Sequence, residues 1–199
     1  MRNTILSSFF ICLFALFIPA AHAQESFSEL HLTVTGNGIM GGNTLLKHWS
    51  PTGGIGLEVG TPYNFGDLEV GLRYMRYNAE NYENSGFHSG FIFLGWYYNY
   101  FVDEKRDLSI VPGVRLGNRF TVHDQDKIYG DGYRFNKTES EFSYELQFRL
   151  QYRINDRFGF YTSIAYNRTL YHISYAEWMG GVGFSVIFKT PDKLKSFLR

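Results

Sequence analysis

Apolar and polar side chains alternate strictly along FSYELQFRLQYRI, the stretch that covers residues 142–154. Successive side chains of a β-strand point to opposite faces of a sheet, so this period predicts a strand with one apolar and one polar face. The alternation alone does not decide which face is enclosed. A soluble barrel encloses its apolar face, whereas a membrane barrel encloses the polar one.

Seven further segments carry similar patterns, and we find no long apolar stripe of helical period, so the main body of the chain is predicted to be all β. The eight predicted strands cover residues 28–36, 53–62, 67–77, 86–102, 107–122, 142–154, 157–166 and 176–188. Short turns are predicted at 61–66, 103–106 and 155–156, and long connections at 37–52, 78–85, 123–137 and 167–175. Such alternation of short and long connections is typical of barrels that cross an outer membrane.

Strand length and the placement of aromatic residues favour the membrane orientation. The apolar residues from Phe142 to Tyr152 cover the span of about 9 to 11 residues that a tilted membrane strand needs. Aromatic residues gather near both ends of the predicted strands, as in the two interface girdles of membrane barrels. One girdle would contain Tyr98, Tyr100, Phe101, Tyr152, Phe158 and Phe160, and the other Tyr74, Tyr77, Phe87, Phe120, Phe142, Tyr144, Tyr166 and Trp178.

The polar faces would then form an enclosed charge network. Its predicted members are Glu58, Glu69, Arg73, Arg115, Arg119, Glu145, Arg149 and Arg153, joined by Glu29. Eight strands leave an interior just wide enough for side chains to fill, so these charges must pair with one another. Glycines on the same faces, such as Gly71 and Gly113, are predicted to make room for the long charged side chains.

The ends of the chain predict processing and export. Arg2, the apolar run 5–18 and the sequence Ala21-His22-Ala23 have the features of a cleaved signal peptide covering residues 1–23. The barrel would occupy residues 24–188, and residues 189–199 would form a short periplasmic tail. Two interpretations of the tail stay open, an amphipathic helix and a frayed polar end.

Composition narrows the functional classes. Cys12, the only cysteine, falls in the predicted signal peptide, so the exported chain would have no disulfide, no catalytic cysteine and no cysteine-based zinc site. The formal net charge of +0 argues against nucleic-acid binding through a basic surface. Aromatic residues make up 19% of the chain, which suits a β-rich protein in contact with an interface.

The pattern over the exported chain resembles that of the small eight-stranded bacterial outer-membrane proteins of the OmpA-barrel and OmpX type, within the broad family of outer-membrane β-barrel domains. The resemblance implies an eight-stranded antiparallel up-and-down transmembrane barrel in the outer membrane of a Gram-negative bacterium. It also implies contacts with outer-membrane lipid and lipopolysaccharide, insertion by the barrel-assembly machinery, and neither cofactor nor metal.

The last predicted strand, GVGFSVIF, resembles the assembly signal of that family. Gly183, Val186 and Phe188 match its glycine and its two hydrophobic positions. Gly181 stands where a polar residue is usual, and the chain continues beyond Phe188 instead of ending there.

Three functional interpretations follow. The favoured one is a structural or adhesion and binding role through the four long connections, without enzymatic activity. A second is an esterase, because His172 and Ser174 resemble the H-x-S of an outer-membrane lipid A deacylase. The resemblance implies that Ser174 is the nucleophile of this chain, that His172 is the base, and that Glu177 orients His172. Tyr175 replaces the asparagine of that family, and Glu177 lies closer than expected. A third is a soluble lipocalin-like barrel that binds a ligand.

Overall fold

Eight long strands form the body of the computed structural model, which describes residues 25–42, 46, 48–80, 85–125, 127–128, 134–135, 137–170 and 175–198. They are β1 (Glu29–Gly42), β2 (Trp49–Tyr63), β3 (Gly66–Ala79), β4 (Phe87–Tyr97), β5 (Leu108–His123), β6 (Thr138–Arg153), β7 (Phe158–Thr169) and β8 (Tyr175–Lys189). Each strand pairs antiparallel with its neighbours in sequence, and β8 pairs back onto β1. The sheet therefore closes into an up-and-down barrel, as predicted.

The strands extend further toward one end of the barrel than the sequence pattern predicts. β1 continues past Gly36 to Gly42, and β6 begins at Thr138 instead of Phe142. Backbone pairing does not require apolar side chains, so the ladder continues where the alternation fades. The predicted connections 37–52, 78–85, 123–137 and 167–175 are therefore too long. Residues 43–48, 80–86, 124–137 and 170–174 connect the strands at this end, which we call the long-loop end.

The opposite end, called the short-turn end, holds the connections 64–65, 98–107 and 154–157. Asn64 occupies the left-handed region with φ of 54°, which asparagine tolerates better than most residues. The Asn155 side chain accepts hydrogen bonds from the backbone N–H groups of Arg157 and Phe158, which stabilises the last of these turns.

The predicted fourth strand, 86–102, is interrupted at residues 98–99. Tyr98 N–H donates to the carbonyl of Pro112 at 2.9 Å, but proline has no N–H with which to complete the ladder. Pairing resumes only at Tyr100 and Phe101, opposite Ile110 and Ser109. The break is a local consequence of Pro112 on the facing strand.

Apolar side chains of the strands point outward, and polar side chains point inward. In β6, Leu146 is 55% exposed, whereas the neighbouring Glu145 is fully buried. The exposed residues, called the apolar belt, include Leu32, Val34, Ile55, Leu57, Val59, Val70, Leu72, Ile92, Leu94, Leu116, Leu146, Phe148, Leu150, Ile164, Val182 and Phe184. The membrane orientation is confirmed, and the soluble lipocalin-like alternative, which encloses the apolar face, is wrong.

Two of the aromatic residues assigned to the interface girdles lie inside the barrel instead. Tyr77 and Phe87 are buried, paired across β3 and β4, and stacked with ring centroids 4.4 Å apart. Tyr77 follows Tyr74 by three positions, so the two-residue period places them on opposite faces. Tyr74 and Trp178 are exposed on the outer face, as predicted.

The chain continues beyond the barrel as a short helix. Thr190 N–H donates to the carbonyl of Ser28 at 3.1 Å, and the helix α1 (Asp192–Leu198) follows Pro191. Of the two interpretations of the tail, the amphipathic helix agrees with the structure.

Candidate functional site

The inward face of the barrel carries buried charges of both signs in equal number. Among the residues that the structure describes, four arginines and four glutamates are buried there, so the formal charges of these eight cancel. They are Arg73, Arg115, Arg119, Arg149, Glu58, Glu69, Glu145 and Glu177. These residues come from five different strands because inward positions recur at every second residue. Six of them form one cluster, which we call the central network: Glu58, Glu69, Arg73, Arg115, Glu145 and Arg149.

Arg115 donates hydrogen bonds to three carboxylates at once. Its Nη2 lies 2.5 Å from Oε1 of Glu58 and 2.7 Å from Oε1 of Glu69. Its Nη1 lies 3.1 Å from Oε1 of Glu145, and its Nε donates to the hydroxyl of Tyr97 at 2.5 Å. The planar guanidinium group has five fixed donors, so it can join acceptors from β2, β3 and β6.

Arg149 shares two of these carboxylates. Its Nη1 and Nη2 each lie 2.9 Å from a different carboxylate oxygen of Glu69. Nη2 also donates to Glu58 at 3.3 Å and to the Tyr97 hydroxyl at 2.9 Å, while Nε donates to Gln147 at 2.8 Å. Glu58 and Glu69 therefore bridge the two guanidinium groups and offset their repulsion.

Two tyrosine rings complete the central network. The Tyr161 hydroxyl donates to Glu58 at 2.8 Å, and the Tyr97 hydroxyl donates to Gln147 at 2.8 Å. The guanidinium carbon of Arg149 lies 3.9 Å from the centroid of the Tyr97 ring and 4.4 Å from that of Tyr161. Cation–π attraction thus stabilises the same charge that the carboxylates neutralise.

Inward-facing glycines provide the space that these rings occupy. A Cβ atom on Gly113 would lie 2.0 Å from the Tyr97 ring, and one on Gly183 would lie 2.3 Å from the Tyr161 ring. The sequence pattern predicts that charged side chains occupy this space. In the structure aromatic rings fill it, and they support the guanidinium groups from the side.

A second cluster lies nearer the long-loop end. Arg119 Nη2 donates to Glu177 and to the amide oxygen of Asn167, and the Tyr77 hydroxyl donates to Glu177 at 2.9 Å. Asn167 Nδ2 donates to Glu145 at 3.2 Å, which connects this cluster to the central network. Every strand that supplies a member is thereby tied to the others through side chains as well as through its backbone.

Only one of the three candidate catalytic residues, Glu177, lies within the described part of the chain. His172 and Ser174 lie outside the described residues. Glu177 is fully buried, and its two carboxylate oxygens accept hydrogen bonds from Arg119 and Tyr77. The roles of Ser174 as nucleophile, His172 as base and Glu177 as orienter stay predictions.

An apolar layer lies beside the second cluster. Met75, Tyr77, Phe87, Ala165 and Met179 are buried against one another. Trp49 packs edge-on against Phe87, with ring centroids 5.6 Å apart, and its indole N–H donates to the carbonyl of Ser85 at 2.7 Å. The interior at the long-loop end is therefore lined by apolar as well as charged side chains.

Arg153 stands apart from the other predicted members of the network. About a third of its side chain is exposed, and its Nη2 lies 3.2 Å from Oε1 of Glu29 at the short-turn end. Both residues line a cavity of about 330 Å³, which Asp67, Tyr97 and Arg149 also line. This part of the barrel is polar and less tightly filled than the central network.

The predicted assembly segment lies at the end of β8. Phe188 is 51% exposed and Val186 is partly buried, whereas Gly183 faces inward against Tyr161. The apolar positions of the segment thus belong to the outer face. Their role in assembly stays a prediction.

A polar group of four side chains lies outside the barrel wall at the long-loop end. Arg76 forms a two-point ion pair with Asp124, with N···O distances of 2.8 and 2.6 Å, and the Tyr74 hydroxyl lies 2.6 Å from Nδ1 of His88. His88 Nε2 is 3.7 Å from Asp124. The hydrogen bonds from Arg76 lower the pKa of Asp124, which follows the end of β5.

Several members of these clusters are not among the residues that the sequence pattern predicts to be there. Gln147 lies between Glu145 and Arg149 on the same face, so the two-residue period could have identified it. Tyr97 gave no such signal, because β4 is apolar on both faces. Asn167 lay in a predicted loop, although it belongs to β7.

Within the described residues, no group of three or more histidine, cysteine, aspartate or glutamate side chains is placed to hold a metal ion. No helix in that part of the chain is long and apolar enough to span a membrane.

A closed antiparallel barrel with an apolar outer belt and a charged interior defines a transmembrane β-barrel of the outer-membrane class. No protein-family model matches the sequence, and no curated protein sequence does. Solved structures of small outer-membrane barrels share the fold.

Three of them illustrate the similarity. The N-terminal barrel domain of Pseudomonas aeruginosa OprF has 16% sequence identity and a TM-score of 0.52, with 82% of this chain and 100% of that chain covered. Neisserial surface protein A has 13% identity and a TM-score of 0.54, with 83% and 99% covered. OprG from Pseudomonas aeruginosa has 10% identity and a TM-score of 0.50, with 83% and 98% covered. At these identities the likeness establishes the fold alone.

Proposed function

We propose that this chain is an integral outer-membrane protein with a packed polar interior that does not conduct solutes, and that its long-loop end performs a structural or binding role. The observation that carries the proposal is the central network. The side chains of Arg115 and Arg149 are only 1% and 6% exposed, and both bind carboxylates from facing strands. An eight-stranded barrel filled in this way has little room for a hydrated pore.

Single-channel recording in planar lipid bilayers tests the packed interior. We expect the folded wild-type protein to give no stepwise current, since ions would have to displace the paired charges. Tyr97→Ala removes a ring from the centre of the network and should allow current. Tyr152→Ala, which removes an outward-facing tyrosine, is the matched control and should resemble the wild type. Stable conductance steps from the wild type would contradict the proposal.

The proposed topology places the long-loop end outside the cell and the short-turn end in the periplasm. Cys12 lies in the predicted signal peptide, so a single introduced cysteine would be the only thiol of the exported chain. Glu80→Cys at the long-loop end should react with a membrane-impermeant maleimide on intact cells. Glu104→Cys at the short-turn end should react only after the outer membrane is opened. The reverse labelling pattern would contradict this topology.

A binding role of the long-loop end is tested by comparing two sets of cells, each displaying the same amount of one of two proteins. One is the wild type, and the other carries an Asn-Gly turn in place of residues 125–136. If the loops bind an external partner, the shortened variant should adhere less to epithelial monolayers. Equal adhesion of both, matching that of cells without the protein, would count against this adhesive role and favour the structural one.

A further inference from the structure

The helix α1 carries the most exposed large apolar side chain among the described residues. Phe197 is 84% exposed, and Leu194 of the same helix is 37% exposed. In the apolar belt, where lipid covers the side chains, the most exposed residue is Leu94 at 60%. A helix outside the belt with such exposure needs an apolar partner of its own.

The apolar and basic residues of α1 are segregated around its axis. Phe197 follows Leu194 by three residues, so the two side chains fall on one face of the helix. Lys193 and Lys195 fall on either side of that face. Lysines that flank an apolar stripe can lay their stems along it while the ammonium groups reach polar headgroups, as in helices that lie in a membrane interface.

The position of α1 keeps it near the edge of the apolar belt. Thr190 and Pro191 alone separate it from β8, and so short a connection spans about 10 Å at most. The hydrogen bond from Thr190 to Ser28 fixes this connection, and Lys195 Nζ contacts the carboxylate of Glu25. Phe188, the last outward residue of β8, is 51% exposed and marks the border of the lipid-facing surface.

The charge of the tail selects the kind of membrane surface. After Phe188 the chain contains four basic residues and one acidic residue, although its overall formal net charge is +0. They are Lys189, Lys193, Lys195, Arg199 and Asp192. A concentration of positive charge at the membrane edge is complementary to anionic phosphate headgroups.

We propose that α1 lies in the headgroup region of the inner leaflet, with its apolar face among the acyl chains and Lys193 on the phosphates of anionic phospholipid. This inference depends on one part of the proposed function, namely that the barrel spans a bilayer. The helix holds the short-turn end of the barrel at a defined depth, a role separate from that of the loops.

Nitroxide labelling of single cysteines in the full exported chain tests the proposal. The barrel is reconstituted in phosphatidylcholine vesicles containing a quarter phosphatidylglycerol, and each label is exposed to oxygen, which concentrates in lipid, or to a nickel chelate, which stays in water. Leu194→Cys reports on the apolar face, and Ser196→Cys on the opposite face. Leu94→Cys in the belt and Glu104→Cys in a turn are the lipid and water references.

The label at residue 194 should resemble that at Leu94, and the label at residue 196 should resemble that at Glu104. Two water-exposed labels on α1 would overturn the proposal, and so would a label at 194 shielded from both reagents, since it would then be docked on protein. A water-exposed label at Leu94 would instead contradict the proposed membrane function, so the two failures are distinguishable.

Two further substitutions, each added separately to the labelled Leu194→Cys variant, test how the helix binds. Phe197→Ser should move the label toward water in every vesicle. Lys193→Glu should do so in the vesicles with phosphatidylglycerol, with a smaller change in pure phosphatidylcholine. A label that neither substitution moves would overturn the proposal even if its depth were as expected.

Discussion

Glu177 and Arg119 show how single residues stabilise the interior. The carboxylate of Glu177 accepts hydrogen bonds from Arg119 and Tyr77, and all three side chains are almost fully buried. A buried ion pair offsets much of the cost of removing both charges from water, but a charge that loses its partner keeps its full cost. The effect of a substitution therefore depends on whether one or both partners change.

We expect Glu177→Gln to lower the free energy of unfolding by roughly 3–5 kcal/mol, because Arg119 is left charged and buried. The double variant Arg119→Met/Glu177→Gln removes both charges and should regain most of the loss. Urea titration in lipid vesicles, followed by tryptophan fluorescence, measures both variants. A double variant less stable than Glu177→Gln would show that the pair is not the source of the effect.

The ion pair between Arg76 and Asp124 predicts a pH dependence outside the barrel wall. Because the pair lowers the pKa of Asp124, its stabilising effect is present above the ordinary aspartate value of about 3.9 and is lost as pH falls through the lowered pKa. NMR titration of the Asp124 carboxyl carbon should give a midpoint below that value. Arg76→Ala should raise the midpoint, and an unchanged midpoint would contradict the pairing.

At the scale of elements, neighbouring strands fit together through large and small residues at facing positions. Tyr97 of β4 is directly opposite Gly113 of β5, and its ring lies over that glycine. Its hydroxyl group is held by hydrogen bonds to Arg115, Arg149 and Gln147. The ring therefore has little freedom to move aside, so the pair fixes both the register and the spacing of the two strands.

Gly113→Ala is expected to lower the free energy of unfolding by roughly 1–3 kcal/mol, because the added methyl group overlaps the Tyr97 ring. Gly90→Ala is the matched control on β4, where a Cβ atom meets nothing within 4 Å. It should leave stability unchanged or raise it slightly. Denaturant titration of both variants in the same vesicles provides the comparison, and equal losses would argue against the steric explanation.

At the scale of the whole molecule, barrel closure and the bilayer together account for the arrangement of side chains. Closure pairs the backbone groups between neighbouring strands, which a lipid environment requires. The apolar belt faces the lipid, and the charges that would be costly there are enclosed and neutralised. The preference of the outer surface for lipid should therefore vary with depth along the strands.

Leu146→Arg places a charge near the middle of the apolar belt and should lower the free energy of unfolding by roughly 2–4 kcal/mol. The same change at Leu170, just beyond β7, should have an effect of about 0–1 kcal/mol because it lies nearer the interface. Both side chains are about half exposed, so burial against protein does not distinguish them. Equal effects in vesicles would contradict the proposed position of the bilayer.

The fold and much of the charged interior were predictable, but several boundaries were not. Two-residue alternation gave the eight strands and placed Glu145 and Arg149 on an inward face. It could not locate the ends of β1 and β6, because hydrogen-bonded pairing continues where side chains cease to alternate. Tyr77 and Phe87 were also misplaced. They were assigned to a girdle because they lie near strand ends, although the two-residue period puts Tyr77 on the inward face.

The sequence by itself determined that Glu58, Glu145 and Arg149 face inward, since this follows from a period of two along each strand. Tertiary structure decided the partners. Arg115 and Glu58 are brought together by barrel closure and strand register, which sequence spacing does not encode. The same register separates Arg153 from the central network and puts Glu177 beside Arg119. Contacts across a closed barrel depend on the stagger of all its strands, so they arise only when the whole sheet has formed.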